Sequence, residues 1–290
     1  MDIFFADLAL FTCALAFSFC AAYYDLKTGE IPDKFTIGLF CAAIGMRAIF
    51  ALFLWDIAYF IDGLAVGAIF FALGAGFFYI GGWGGGDAKL LSGIGAALGG
   101  LFAPSLISMP IKVWPEFVGF LFCLGLVAIF YSITYSLILS LKKPEVFSIM
   151  GKTIHERKIE LFALLIASCV LVVLFFPIKP ILGLMGALPI VFYLLLVFSR
   201  AVEAVALQKE ISIEALREGD MVVEDLIIGK KVVFSKRDMD GISEKVLEQV
   251  QKAKNKPKTI IIKWGIRFGP AFPLALFLIP FWDKLVFGTI

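Results

Sequence analysis

Apolar and polar positions along this chain do not alternate with a strand or surface-helix period; they come in long apolar blocks separated by short polar or Pro/Gly breaks. A block of about 18 residues or more is long enough to cross a bilayer as a helix. Eight such blocks are present, at roughly 3–23, 35–54, 57–80, 88–108, 117–140, 160–177, 180–199 and 267–286. Pro177, Lys179 and Pro180 separate the sixth from the seventh, and a re-entrant segment is the alternative for the sixth. The first block lacks a basic lead-in and a clear small-residue cleavage site before Asp25, so it is expected to be a retained span.

Between the seventh and eighth blocks the pattern changes. Residues 201–264 are polar and carry short β-prone runs, Met221–Ile228 and Lys231–Ser235 around Gly229, and Thr259–Lys263. Ser243, with Glu244 after it, predicts the start of a helix running to about Lys254. The expected fold is an all-α polytopic membrane protein of about eight transmembrane helices with a small α/β cytoplasmic unit. Its expected domains are a transmembrane domain at 1–200, the polar α/β unit at 201–264, and a C-terminal transmembrane helix at 265–290. Some 60 residues make a marginal core, so the polar unit is expected to pack on the membrane domain or the lipid surface.

Composition agrees: 61% of the 290 residues are hydrophobic and 17% charged, too little charge to cover a water-soluble surface. Net charge is only +2, but its placement is informative. With the N-terminus outside, 22 of the 26 Lys and Arg fall on inner segments, and only Lys112, Lys179 and Lys284 fall outside. The positive-inside rule therefore predicts an outside N-terminus. Arg47 and Asp62 lie at similar depth near the outer face of spans two and three. Intramembrane charge is costly unless paired, so an Arg47–Asp62 pair is expected. The five cysteines all fall inside apolar blocks without a C-x-x-C, and the single histidine is His155. No metal site or cofactor is expected.

Two acids occupy block edges. Asp25 closes the first block in Tyr24-Asp25-Leu26-Lys27-Thr28-Gly29-Glu30-Ile31-Pro32-Asp33, and Asp87 opens the fourth in Gly81-Gly82-Trp83-Gly84-Gly85-Gly86-Asp87-Ala88-Lys89. Under the orientation above, both lie at the cytoplasmic membrane edge, and an antiparallel bundle of spans one to four brings them together. Two carboxylates at close range do not both ionise easily; one serves as base and the other as acid, so a water between them can attack an amide carbonyl. Such a pair titrates as one unit. Gly84, Gly85 and Gly86 leave backbone that an extended peptide can approach closely. The plain alternatives are a solvated loop acid for Asp25 and a helix-terminal acid for Asp87.

Other motifs match poorly. Gly82-x-Gly84-x-Gly86 lacks the strand and spacing of a dinucleotide loop. Gly151-Lys152-Thr153 lacks the first glycine of a phosphate loop, because position 146 is Val. No nucleotide or nucleic-acid partner is expected. Gly63-x-x-x-Gly67 in span three and Gly95-x-x-x-Gly99 in span four predict close helix contact, packing that would hold the two aspartate-bearing segments in register.

At Asp25 with Ile31-Pro32-Asp33, and at Gly84-x-Gly86-Asp87-x-Lys89-Leu90, the chain resembles the type IV prepilin peptidase family, particularly its archaeal preflagellin and prepilin peptidases. The second stretch is that family's G-x-G-D signature. The resemblance covers roughly 10–140, and Gly265-Ile266-Arg267-Phe268-Gly269-Pro270-Ala271-Phe272 looks like the C-terminal region of the archaeal members. It implies an aspartic endopeptidase that removes a short basic leader from pilin or archaellin precursors at the cytoplasmic face. Asp25 and Asp87 would be its catalytic pair, with Gly84 and Gly86 shaping the substrate loop. Bacterial members often add a cysteine-rich zinc segment and N-methylate the product. This chain has no such cluster, so the resemblance implies proteolysis without methyl transfer.

Two rivals remain. A presenilin-like or signal-peptide-peptidase-like protease would place its aspartates on neighbouring spans, deeper in the membrane. It would also carry a Pro-Ala-Leu element, of which Ala187-Leu188-Pro189 is only a scrambled likeness. An ion-coupled transporter would place Asp87 at mid-span beside a water path and show inverted repeats.

Overall fold

The computed structural model describes residues 3–100, 116–228, 231–235, 241–253 and 257–281. In chain order the elements are α1 (Ile3–Thr28), α2 (Asp33–Leu54), α3 (Ile57–Tyr79), α4 (Gly85–Leu98), α5 (Glu116–Lys142), α6 (Glu145–Glu156), α7 (Lys158–Phe175), α8 (Pro180–Met185), α9 (Leu188–Ala201), β1 (Gln208–Ser212), β2 (Met221–Val222), β3 (Leu226–Ile228), β4 (Lys231–Phe234), α10 (Glu244–Lys252), β5 (Thr259–Lys263) and α11 (Ala271–Leu278). A π-helical turn, Val202–Ala206, extends α9, and a 3-10 turn, Ile279–Phe281, extends α11. Among the described residues six helical stretches are long and apolar enough to cross a membrane: α1, α2, α3, Phe117–Lys142, α7 and Gly183–Ala206. The chain is a polytopic helical membrane protein. In hydrocarbon only a helix or a closed barrel satisfies every backbone group. The outward faces match: Leu52 is 77% exposed and Val173 70%, which suits lipid rather than water.

The expected spans correspond to these helices with three differences. The seventh block, 180–199, is divided into α8 and α9. The fourth block forms a helix of only 14 residues, α4, ending at Gly99, while 101–108 lies outside the described residues, as do Lys112 and Lys284. The eighth block does not begin as helix: Arg267–Pro270 is a non-helical lead-in, α11 starts at Ala271, and 282–286 lies outside the described residues.

The chain divides into two compact units, 1–132 with 267–290, and 133–266. In the first unit α4 is the central element. Every residue from Leu90 to Leu98 is buried, enclosed by α1, α2 and α3. Small residues allow that closeness. A Cβ at Gly74 would lie 2.7 Å from the Ala88 Cα, one at Gly95 2.7 Å from the Phe70 ring, and one at Gly93 2.9 Å from Leu39. Gly67 faces Ala96 and Ser92, and the Ser92 hydroxyl donates to the Gly67 carbonyl at 2.9 Å. The two spaced glycine pairs thus meet the contact expected of them, with α3 pressed on α4. On α1 the buried stripe Leu10, Ala14, Ser18, Ala22 follows the helical repeat and is mostly small.

A helix buried on all sides has to satisfy its terminal carbonyls from within the protein. For α4 this falls to Arg47, 1% exposed. Its Nε donates to the Ala96 carbonyl at 2.7 Å, one terminal nitrogen to Ala97 at 3.1 Å, and the other to Tyr59 on α3 at 2.7 Å. Gly99 leaves the helix with φ +58°, which a side chain would resist. Asp62 accepts the Gly100 N–H at 2.6 Å and stands 3.9 Å from Arg47. The expected Arg47–Asp62 pair is therefore present, but most of the arginine's donors go to backbone. The guanidinium also lies over the Tyr59 ring, 4.5 Å from its centroid, and the Tyr59 hydroxyl donates to Asp7 on α1 at 2.6 Å. Four helices meet in one buried polar knot.

In the second unit, α7 buries only Ser168, as a lipid-facing helix would, whereas α6 is short and amphipathic and packs on α9 through Val146. The polar segment forms an antiparallel sheet in the order β1-β5-β2, with Gln208 opposite Lys263 and Val222 opposite Ile262, and a separate β3–β4 pair with a register shift at Leu226/Ile227. Ile260 and Ile262 point inward to meet Val250 of α10, Phe234 and Ile213. The expected run Met221–Ile228 is divided into two strands, β2 and β3, that belong to different sheets, whereas Lys231–Phe234, Thr259–Lys263 and the helix follow expectation, with Ser243 at the N-cap position of α10; Gly229 and Lys254 lie outside the described residues. β1 was not anticipated. Lys143 donates to the Val205 and Gln208 carbonyls, at 3.0 and 3.1 Å, and Lys263 pairs with Glu203.

Replacing Arg47 by Met leaves three buried carbonyls without their donor and is expected to cost about 3–5 kcal/mol. Asp62→Asn keeps an acceptor for Gly100 and is expected to cost about 1 kcal/mol. Unfolding in mixed detergent micelles followed by circular dichroism checks this order.

Candidate active site

Asp25 sits in the last turn of α1, not in the following loop. It is 6% exposed. The helix closes there because the Gly29 N–H returns to the Asp25 carbonyl at 2.8 Å and Gly29 takes φ +81°. The Thr28 hydroxyl bonds back to the Tyr24 carbonyl at 2.8 Å. Pro32 then sets up α2 at its N-cap position with φ −65°. The Asp25 Oδ2 accepts the backbone N–H of Gly269 at 2.7 Å.

Asp87 lies at the third position of α4. Its Oδ2 accepts the N–H of the N-cap residue, Gly84, at 3.1 Å, one half of a capping box. A carboxylate there is also favoured by the positive end of the helix dipole. The preceding loop is tightly wound: Gly82 N–H bonds to the Phe77 carbonyl at 2.9 Å, and Gly81 has φ +77°. Trp83 is half-buried and packs against Phe77, Phe268 and Phe272 at centroid distances of 4.8, 5.3 and 5.8 Å.

The two acid-bearing segments meet directly. A Cβ at Gly86 would lie 2.9 Å from the Ile31 Cβ and 3.2 Å from its carbonyl oxygen, so the turn after α1 rests on the glycine. Lys89 of α4 pairs with Asp33 of α2 at 2.7 Å. Helices α1 and α4 are in contact, and Asp25 and Asp87 stand within electrostatic reach of each other. No hydrogen bond joins the two carboxylates among the described residues. Each has one oxygen held by a backbone N–H, and the other oxygen of each has no protein donor among the described residues.

The three candidate loop glycines differ in role. Gly86 is required by packing. Gly84 supplies the N-cap N–H from an extended conformation. A Cβ at Gly85 would find only Phe78, at 3.8 Å. Among the described residues no group of three or more Cys, His, Asp or Glu converges as a metal site would.

Sequence reasoning missed the C-terminal contribution. Besides the Gly269 bond, the Arg267 guanidinium donates to the Leu26 carbonyl, and the Tyr131 hydroxyl donates to the Arg267 carbonyl at 2.7 Å. The available signal was the Gly-Pro step of 269–270 placed just ahead of an apolar run.

Compared with known proteins, residues 12–141 match the type IV leader peptidase family. Asp25, the glycine run and Asp87 all fall within that stretch; Arg267 to Phe272 do not. Neither the curated proteins nor the solved structures gave a match.

Gly85→Ala is expected to be neutral or slightly stabilising, because alanine favours helix and meets open space. Gly86→Val forces Ile31 to move and is expected to cost about 1–3 kcal/mol. Thermal midpoints of the two variants in the same detergent check the contrast.

Proposed function

We propose, from the leader-peptidase match over residues 12–141 and the meeting of α1 and α4, that this protein is an aspartic endopeptidase of the membrane. Its catalytic pair is Asp25 and Asp87. The observation that carries the reading is their arrangement: two carboxylates at the ends of packed helices, each with one oxygen bound by a backbone N–H and one left over.

In the proposed reaction one carboxylate takes a proton from a water while the other, protonated, hydrogen-bonds the scissile carbonyl. The water oxygen attacks the carbonyl carbon as the protonated acid gives its proton to the carbonyl oxygen, and a tetrahedral gem-diol forms. The C–N bond then breaks: the acid that took the water proton gives it to the leaving nitrogen, a gem-diol hydroxyl returns its proton to the other acid, and the remaining product leaves as the carboxyl terminus. One water is consumed and the pair regains its single shared proton. The amide has to be presented in extended backbone, because a helical amide is hydrogen-bonded and sterically hidden. The glycine loop at 84–86 leaves room for such a strand.

The substrate we assign is a pilin-like or archaellin-like precursor with a basic leader, cut where the leader meets its apolar segment. The basic inner segments of the enzyme support an outside N-terminus and a cytoplasmic site. A basic leader would be retained on that side for the same reason. The separation of the two acids by α2 and α3, rather than their residence on neighbouring helices, disfavours the presenilin-like alternative.

The test is cleavage of a leader-bearing precursor by the full chain in proteoliposomes, read on a gel. Asp25→Asn and Asp87→Asn are each expected to lower kcat about 100- to 10,000-fold, and the double variant to be little worse than either alone, since the pair acts as a unit. Near-normal cleavage by either single variant overturns the assignment. Cleavage is expected to persist in excess chelator, because the chain has no Cys/His cluster from which a metal could be stripped.

A further inference from the structure

We infer that the segment from Arg267 to Phe272, outside the family match, is a clasp that positions both carboxylates. Gly269 and Trp83 are its two working points. On the α1 side the Gly269 N–H is the hydrogen-bond donor to the Asp25 carboxylate, at 2.7 Å. The contact leaves no room for a side chain: a Cβ at 269 would lie 2.8 Å from both the Cβ and the Oδ2 of Asp25. The donor is fixed from both directions along the chain. Before it, Arg267 is tied to the Leu26 carbonyl by its guanidinium and to the Tyr131 hydroxyl by its own carbonyl. After it, the Ala271 N–H bonds to the Phe268 carbonyl at 2.9 Å and starts α11, whose first turn is buried against α1.

On the α4 side the same six residues hold the glycine loop. Phe268 and Phe272 pack on Trp83 and on each other, with ring centroids 5.3, 5.8 and 5.6 Å apart. Trp83 immediately precedes Gly84, whose N–H holds Asp87. One short segment therefore sets the rotamer of the first carboxylate by a hydrogen bond and the position of the second by an aromatic stack. Neither acid has a charged side chain bonded to its oxygens. Their geometry is in the hands of backbone donors, and one of these belongs to the clasp. Gly269 and Trp83 are positioning residues that act through Asp25 and Asp87.

The kinetic part of this inference rests on the peptidase reading; the structural part does not, and the experiment separates them. In the full chain in nanodiscs, hydrogen exchange of the Gly269 amide is followed by residue-resolved mass spectrometry. Asp25→Ala is expected to speed exchange about 10- to 100-fold, the range for a bond to a charged acceptor, while Asp87→Ala leaves it unchanged. An exchange rate indifferent to Asp25→Ala overturns the clasp, whether or not the protein cleaves anything. In the cleavage assay Gly269→Ala is expected to lower kcat about 100-fold, with KM within about threefold, as for a small misplacement of a reacting group. Trp83→Leu is expected to lower kcat about tenfold and Trp83→Phe to restore most of it, a rescue that keeps the test decisive if Gly269→Ala fails to fold. Folded Gly269→Ala with unchanged kcat overturns the positioning role. If the unaltered protein cleaves no precursor, the peptidase reading falls and the exchange result alone decides the clasp.

Discussion

The structure depends on placing a helix of 14 residues, α4, in the middle of a membrane-embedded bundle without leaving its ends unsatisfied. Its side-chain surface is met by glycine and alanine contacts, which cost little. Its carbonyl end is the harder problem, because an unpaired backbone oxygen in a medium without water costs several kcal/mol. Arg47 answers it with donors on Ala96, Ala97 and Tyr59 at once. A guanidinium suits this better than an ammonium, since its planar fork reaches several acceptors in a fixed geometry. The desolvated charge is offset by Asp62 and by the face of Tyr59, and Tyr59 ties the group to Asp7 on α1.

Fixing one end of a rigid helix fixes the other. With its C-terminus locked to α1, α2 and α3, α4 has little freedom to slide, so the turn carrying Asp87 stays level with the end of α1. Sites mounted on helices hold their geometry better than sites on loops. Helix α4 sets the level of the Asp87 backbone, and the loop before it orients the carboxylate through the Gly84 N–H. Asp87 serves two ends here. As a capping residue it stabilises its own helix through Gly84, and that same bond holds one oxygen of the carboxylate and leaves the other without a protein donor among the described residues.

Much of this was legible in the sequence, and what was not has a common cause. The limits of α2 and α3 follow from apolar block length, with Pro32 just ahead of α2 and Asp56 just ahead of α3. Arg47 and Asp62 were pairable because two charges at equal depth in hydrocarbon have few other options. Thr259–Lys263 is a run of three β-branched isoleucines between Thr and Lys, and that exposes β5 to reading. By contrast, Gln208–Ser212 has little apolar alternation; it becomes a strand because β5 offers it an edge. Helix α6 leaves no apolar block of its own, being a short amphipathic segment between two stronger apolar blocks. Asp25 was expected just past its helix, because periodicity does not show that Gly29 holds the last turn closed. The Gly269 bond escapes for a deeper reason: the Gly-Pro step marks the spot, but a main-chain donor 244 residues away does not reveal its acceptor in the residue types.

The backbone donors to the two acids, Gly84 and Gly269, are both glycines. A carboxylate oriented by a charged side chain shares its titration with that partner, and the pair then settles into an ion pair too stable to trade protons. A backbone N–H orients without titrating. It withdraws one oxygen and fixes the rotamer without adding a titrating partner. For such a donor to reach a buried carboxylate, the residue bearing it has to come within van der Waals contact, and at Gly269 a side chain would collide with Asp25 itself. The glycines on both sides of this site are thus what remains when positioning is done by the main chain, and a search for polar clusters passes over them.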